Sequence, residues 1–192
     1  MLDHVDSYAN DPIFSLTEAV AADKRARKAN LGVGLYFDED GQVPLLRSVS
    51  RAEQELAESR LTKAYLPMEG LGAYRAAVQS LLFGDRHEAV ASGRVATIQS
   101  VGGSGALKIG ADFLRRYFPG SGVWVSDPTW DNHLAIFEGA GFRVGTYPYY
   151  DPAHRRLDFE RMLGALDALP ARSVVLLHVC CHNLTGMDLS QL

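Results

Sequence analysis

From Arg94 onward the chain alternates between two rhythms, and this alternation limits the fold more than any other feature. The runs VATIQSV, GVWVSD, FRVGTYPYY and SVVLLHVCC are short and rich in β-branched and aromatic residues. Between them lie the helical patterns ALKIGADFLRRYF, DNHLAIFEGAG and LDFERMLGALDAL. Strands separated by helices of this length read as βαβ units, because parallel neighbours need a crossover and the crossover helix buries its apolar side on the sheet. The predicted fold class is α/β, a mostly parallel sheet flanked by helices.

The residues before Arg94 read as a helical lead-in. After Pro12 the pattern IFSLTEAVAADKRARKAN predicts an amphipathic helix with basic residues toward its end, as the helix dipole prefers. A short apolar piece from Asn30 to Tyr36 leads to a turn at Asp38 to Gly41. Two further helices are predicted over Leu45–Arg60 and Gly72–Phe83, split by the break from Pro67 to Gly72. With no repeat and no low-complexity linker, a boundary can fall anywhere between Gly41 and Gly93. We draw it after Gly41, giving residues 1–41 and 42–192.

Composition enters by exclusion. A chain of 192 residues can bury roughly 70% of its unfolded surface, enough for one substantial core. Hydrophobic residues at 47% and charged residues at 22% are ordinary soluble globular usage, unlike disordered or collagenous chains. A net charge of -4 argues against a broad nucleic-acid surface or a membrane-attracting face, so the expected partners are small molecules or protein. The start MLDHVDSYANDPIF lacks a basic region followed by an apolar stretch, and no apolar run reaches membrane-spanning length. A cytoplasmic protein is expected. Cys180 and Cys181 are adjacent, a poor geometry for a mutual bridge, and fit reduced thiols.

Three clusters could carry chemistry. Gly102-Gly103-Ser104-Gly105 opens a helix, where unpaired N–H groups and glycine backbone can cradle a phosphate; a merely tight bend explains the glycines equally well. The order G-x-x-x-x-G-K-[ST] is absent, so Lys108 does not make this a P-loop. Ser126-Asp127-Pro128-Thr129-Trp130 follows the strand GVWV, at the end of a parallel sheet where ligands bind, and Trp130 there could stack on a flat ring or anchor the core. His133 follows on the next helix, as a site residue or a surface one. In His178-Val179-Cys180-Cys181-His182-Asn183 two histidines stand four apart. On a strand that separates them by about 13 Å, too far to share one metal, whereas a helix would bring them together. The expectation is a strand and no metal. Asn183-Leu184-Thr185 matches a glycosylation sequon by accident, and Arg155-Arg156 and the run from Lys24 to Lys28 read as solvated charge.

Taken in order, ANDPIFSLTEA, NLGVGLYFDEDG, AYLPMEG, ATIQSVGGSGALK, VWVSDPTWDNH and HVCCHN resemble the class I pyridoxal-phosphate (PLP) aminotransferases of the aspartate and aromatic-amino-acid subgroup. YLPMEGL, GGSGALK and SDPTW are closer to the aromatic-amino-acid enzymes. The resemblance implies the aspartate aminotransferase-like PLP-transferase fold, with residues 1–41 as the N-terminal arm and part of a small domain, and 42–192 as the first half of the large cofactor-binding domain. It implies PLP as cofactor, an aromatic amino acid (or aspartate) and a 2-oxo acid such as 2-oxoglutarate as substrates, and a homodimer.

Residue by residue, the resemblance makes Gly102, Gly103 and Ser104 the phosphate loop and Tyr65 the tyrosine that reaches a phosphate in the neighbouring subunit. Trp130 becomes the ring-stacking tryptophan and His133 a support behind the ring. Asn183 becomes the donor to the cofactor's ring oxygen, and Gly34 a backbone contact to the amino acid. Trp130 and Asn183 count toward the substrate as well.

Two departures stand out. Leu184 takes the place of the proline that follows the family's asparagine. The chain also ends at Leu192, before the family's Schiff-base lysine, the carboxylate that holds the pyridine nitrogen and the arginine that clamps the substrate carboxylate. None of Lys24, Lys28, Lys63 and Lys108 lies in the family's lysine motif. The resemblance therefore implies no catalytic lysine in this chain and no turnover by it alone, or a non-catalytic remnant that at most pairs with a full-length subunit.

Overall fold

The computed structural model describes residues 12–30, 32 and 34–189. It divides into two compact units, one ending at Ala64 and the other starting at Tyr65.

The first unit holds helices α1 (Pro12–Ala22) and α2 (Arg47–Ser59). The helix predicted to run on to Asn30 stops at Ala22, for a local reason. The Asp23 carboxylate takes the backbone N–H of Arg25 at 2.9 Å and also binds its guanidinium. Lys28 Nζ meanwhile sits on the carbonyls of Val20 and Asp23 at 2.8 and 2.7 Å. Side chains thus satisfy groups that another helical turn would have used, and the chain leaves the helix. The turn at Asp38 is present: Asp38 Oδ1 accepts the N–H groups of Asp40 and Gln42 at 3.1 and 2.8 Å, and Gly41 sits at φ 70.

The second unit begins with α3 (Gly72–Phe83) and the short α4 (Glu88–Ala91). It continues through α5 (Gly102–Tyr117), β1 (Val123–Asp127), α6 (Asp131–Gly139) and β2 (Val144–Pro148). The two-residue strands β3 (Tyr150–Asp151) and β4 (Arg156–Leu157), then α7 (Phe159–Asp167) and β5 (Val174–Val175), complete it. The sheet has the order β2-β1-β5, all parallel, with Val123 opposite both Val144 and Val174. β3 and β4 form a separate antiparallel pair.

Period-two alternation along β1 sorts its side chains into two cores. Val123 and Val125 face Ala111 of α5, Phe137 of α6 and Phe142, all buried. Trp124 points the other way, to the core made by Tyr147, Tyr149 and Met162 of α7. Trp124 lies so close to its register partner Gly145 that a Cβ there would come within 2.6 Å of the indole.

Three predicted strands are revised. VATIQSV joins no ladder among the described residues. Its polar partners are the side chain of Gln79, 2.8 Å from Thr97 Oγ1, and the loop before α3, where Gln99 N–H donates to the Glu69 carbonyl at 3.0 Å. β-branched composition favours a strand only where a neighbour offers a ladder. FRVGTYPYY breaks at Pro148, whose missing N–H ends β2, and resumes as β3. SVVLLHVCC supplies only two strand residues, because the chain after Leu177 folds back on itself.

Candidate functional site

The fold-back after β5 lies beside the C-terminal end of β1, and five aromatic rings line up there. Trp130 meets His133 edge to face with centroids 5.3 Å apart, and His133 meets His178 in the same way at 5.0 Å. His178 stacks on His182 at 4.2 Å, and His182 stacks on Tyr149 at 3.9 Å. β1 positions the column through Ser126, whose Oγ is 2.9 Å from His182 Nε2. α6 positions it through Thr129 just before the helix, with Oγ1 2.8 Å from His133 Nδ1.

This disposition corrects the strand geometry expected for His178 and His182. Cys181 adopts a left-handed φ of 53 and Gly186 N–H closes on the His182 carbonyl at 2.8 Å, so a turn replaces the extended run. The two rings are in contact rather than about 13 Å apart. Among the described residues no group of three or more His, Cys, Asp or Glu side chains is placed to hold a metal ion.

The column is uncharged at neutral pH. Burial, reinforced by the neighbouring His178 and His182, pushes the His133 imidazole down to about 4. Burial also lowers His178 and His182; Asp188 opposes the shift at His178, and His178 adds to it at His182. Tyr147, buried with its hydroxyl on the Leu176 carbonyl at 2.7 Å, is pushed up to about 12, chiefly by burial.

His178 Nδ1 accepts the backbone N–H of Asn183 at 3.1 Å. A neutral imidazole that accepts at Nδ1 carries its proton on Nε2. That Nε2 is buried and has no partner among the described residues. Such a donor costs roughly 1–3 kcal/mol unless an acceptor reaches it.

Of the residues singled out in the sequence, Trp130, His133 and Asn183 are brought together, linked through His178. Trp130 is half-buried at the start of α6, His133 is buried, and the Asn183 side chain is exposed. Gly102, Gly103 and Ser104 form the exposed first turn of α5. Gly102 sits at φ 65, and a Cβ on Gly102 or Gly103 would meet nothing within 4 Å. Packing therefore does not demand glycine at Gly103, and the space its Cβ would fill lies beside unpaired helix N–H groups. No hydrogen bond or ring contact among the described residues joins this turn to the column. Tyr65 is fully exposed, and Gly34 is an exposed residue of the first unit.

Ser126 and Thr129 fall in the candidate segment that leads to Trp130, whereas Tyr149 and Asp188 are not singled out by the sequence. The available signal was the turn spelled by Asn183 to Gly186, which contradicts a strand through His182.

A helix-flanked parallel sheet with a ring column at its strand ends, and a glycine-opened helix in the same unit, defines an α/β protein of the kind in which ligands bind outside the strand termini. The chain belongs to the aminotransferase class I and II family, whose model matches residues 26–191. It is 58% identical over 191 residues to a tyrosine aminotransferase of Klebsiella pneumoniae, covering 99% of this chain and 48% of that protein. A crystal structure of an aromatic amino acid aminotransferase from Burkholderia cenocepacia J2315 superposes with a TM-score of 0.95 at 59% identity, over 100% of this chain and 48% of that one. An aromatic-amino-acid aminotransferase from Burkholderia pseudomallei covalently bound to pyridoxal phosphate superposes at 0.94 with 50% identity, over 99% and 48%. The fold is therefore that of these enzymes, and the chain spans about half the length of the relatives it matches. No helix among the described residues is long and apolar enough to cross a membrane.

Proposed function

We propose that this chain provides the phosphate- and ring-binding half of a PLP-dependent aminotransferase acting between an aromatic amino acid (or aspartate) and a 2-oxo acid such as 2-oxoglutarate. The observation that carries this reading is the buried, partnerless His178 Nε2–H in an uncharged column that ends at Trp130. A flat heteroaromatic ligand with anionic substituents fits such a wall.

Gly102, Gly103 and Ser104 would receive the phosphate at the start of α5, where the helix dipole favours an anion. Trp130 would cover the ring, with His133 behind it. Asn183 would donate its carboxamide N–H to the ring oxygen and favour the oxyanion. When bound, PLP supplies an electron sink; the protein's part is to bind, orient and keep the surrounding imidazoles uncharged. Gly34 would touch the amino-acid substrate.

No lysine of this chain is proposed to hold the cofactor covalently. Lys108 Nζ is engaged by Asp112 at 2.5 and 2.6 Å, and Lys28 Nζ by main-chain carbonyls. The 192-residue chain alone is proposed to bind PLP at best weakly, without a covalent link, and to show no turnover. Incubation with PLP, borohydride reduction and mass analysis test this: the reading expects no tagged lysine, and a stoichiometric adduct on one lysine would overturn it.

A homodimer in the cytoplasm completes the proposal, with Tyr65 reaching the partner's phosphate. Full exposure of Tyr65, Met68, Val101 and Val179 favours a covering partner. The same exposure supports the second reading, a non-catalytic remnant that pairs with a full-length subunit. Co-expression with an intact relative followed by size-exclusion chromatography separates the two: transaminase activity dependent on the chain supports the first, and an inactive mixed species the second.

A further inference from the structure

Asn183 sits in a turn whose shape its own side chain does not hold. Its carboxamide is exposed, as is the Leu184 side chain beside it, and the turn passes through Cys181 in the left-handed region at φ 53. A non-glycine residue there persists only when its surroundings over-determine the conformation.

The surroundings are supplied from five residues further on. Asp188 Oδ2 accepts the Cys181 N–H at 2.8 Å, and Asp188 Oδ1 accepts the His182 N–H at 2.8 Å. Two successive main-chain N–H groups around a left-handed residue form a small anion-binding concavity. Here the anion is the protein's own carboxylate, with one oxygen on each amide. Those two bonds hold the Asp188 carboxyl below the usual carboxylate range. Thr185 Oγ1, 2.9 Å from His182 Nδ1, and the Gly186 N–H on the His182 carbonyl close the rest of the loop. The Asn183 N–H is left directed at His178 Nδ1.

We propose that Asp188 is a positioning residue: its carboxylate clamps the amides of Cys181 and His182, and so fixes where Asn183 presents its carboxamide to an anionic ring oxygen. The clamp rests on the cofactor reading above for its ligand, but not for its geometry. Asp188→Asn keeps the size of the side chain yet offers one acceptor oxygen where two are needed, and turns an N–H donor toward the second amide.

Two measurements on the whole chain decide it. The first is amide hydrogen exchange by NMR on wild type and Asp188→Asn. Protection at Cys181 and His182 is expected to fall at least tenfold, while Val123 and Val125 in β1 keep theirs; unchanged protection at Cys181 and His182 overturns the clamp. The second is PLP titration of wild type, Asp188→Asn, Asn183→Ala and the double variant. Each single change is expected to weaken PLP about tenfold, with the double variant no weaker than Asn183→Ala, because Asp188 acts through Asn183. Additive losses, or no loss in Asp188→Asn, overturn the positioning role, since a purely structural contribution would not vanish with the Asn183 side chain.

If the wild-type chain binds no PLP, the cofactor reading falls, and exchange alone decides the clamp. If Asp188→Asn unfolds, Cys181→Gly is added. Glycine adopts the left-handed conformation at no steric cost, so the fold and part of the protection at His182 should return, and their failure to return overturns the proposal.

Discussion

Lowering the pH from 7.5 to 5 should destabilise the protein through the ring column. Burial, the first cause, holds the His133 imidazole down to about 4 in the folded protein, against 6.5 for a free imidazole. At pH 7.5 the ring is neutral whether folded or unfolded, and contributes nothing to the pH dependence. As the pH falls through 6.5 the unfolded chain takes up a proton that the folded column refuses, so stability falls with pH until the folded ring protonates near 4. The full difference at pH 5 is about 2 kcal/mol for His133 alone, and about 1–2 kcal/mol allowing for solvent screening. His178 and His182 shift in the same direction and add to the loss. The lowered carboxyls of Asp23, Asp151 and Asp188 titrate below the usual carboxylate range and stay outside this window. Urea denaturation at both pH values, on wild type and on His133→Gln, isolates the contribution of this imidazole. The glutamine variant is expected to lose about 1–2 kcal/mol less between pH 7.5 and 5. Equal pH dependence in the two proteins, or an NMR titration placing His133 above 6, would refute the reasoning.

Three further outcomes follow from packing and from the site. Gly145→Ala brings a Cβ within 2.6 Å of the Trp124 ring, and overpacking of this kind should cost about 1–3 kcal/mol by urea midpoint, relieved in part by Trp124→Phe. Phe137→Ala empties the centre of the core between β1 and α5 and should cost about 3–5 kcal/mol, read from the same denaturation curves. Asn183→Ala removes an exposed carboxamide, and should leave the urea midpoint within about 0.5 kcal/mol of wild type while weakening PLP, measured by equilibrium titration.

Much of the second unit was legible from local rules. The helix predicted over Gly72–Phe83 is α3, and the alternation beyond Arg94 does produce parallel strands crossed by helices. Trp130 and His133 fell at the strand end because the pattern GVWVSDPTW carries its own stop, Asp-Pro, ahead of the helix that holds His133. Errors arose where a segment's state depends on a distant partner. VATIQSV has the composition of a strand but bonds to Gln79 and to the loop before α3, which no window of local sequence displays. SVVLLHVCC reads as one strand because its apolar run hides the turn; Asp188, beyond the run, draws Cys181 and His182 back. The stacking of Tyr149 on His182 joins residues 33 positions apart and had no local signature. The overshoot of α1 has the opposite origin: Asp23 and Lys28 are visible in the sequence, but the basic run reads as dipole complementarity, whereas Lys28 instead takes the carbonyls of Val20 and Asp23.

The central claim, that the glycine-opened start of α5 and Trp130 hold the phosphate and ring of PLP, is tested most directly by fluorescence in Trp124→Phe. Trp130 is then the sole tryptophan of the two in the sequence. Titration with PLP is expected to quench Trp130 saturably, with pyridoxal, which lacks the phosphate, at least tenfold weaker. Gly103→Asp should abolish that preference without loss of stability, because a carboxylate suits a helix N-terminus but repels a phosphate. Absence of saturable quenching, or equal affinity for PLP and pyridoxal, would contradict the account.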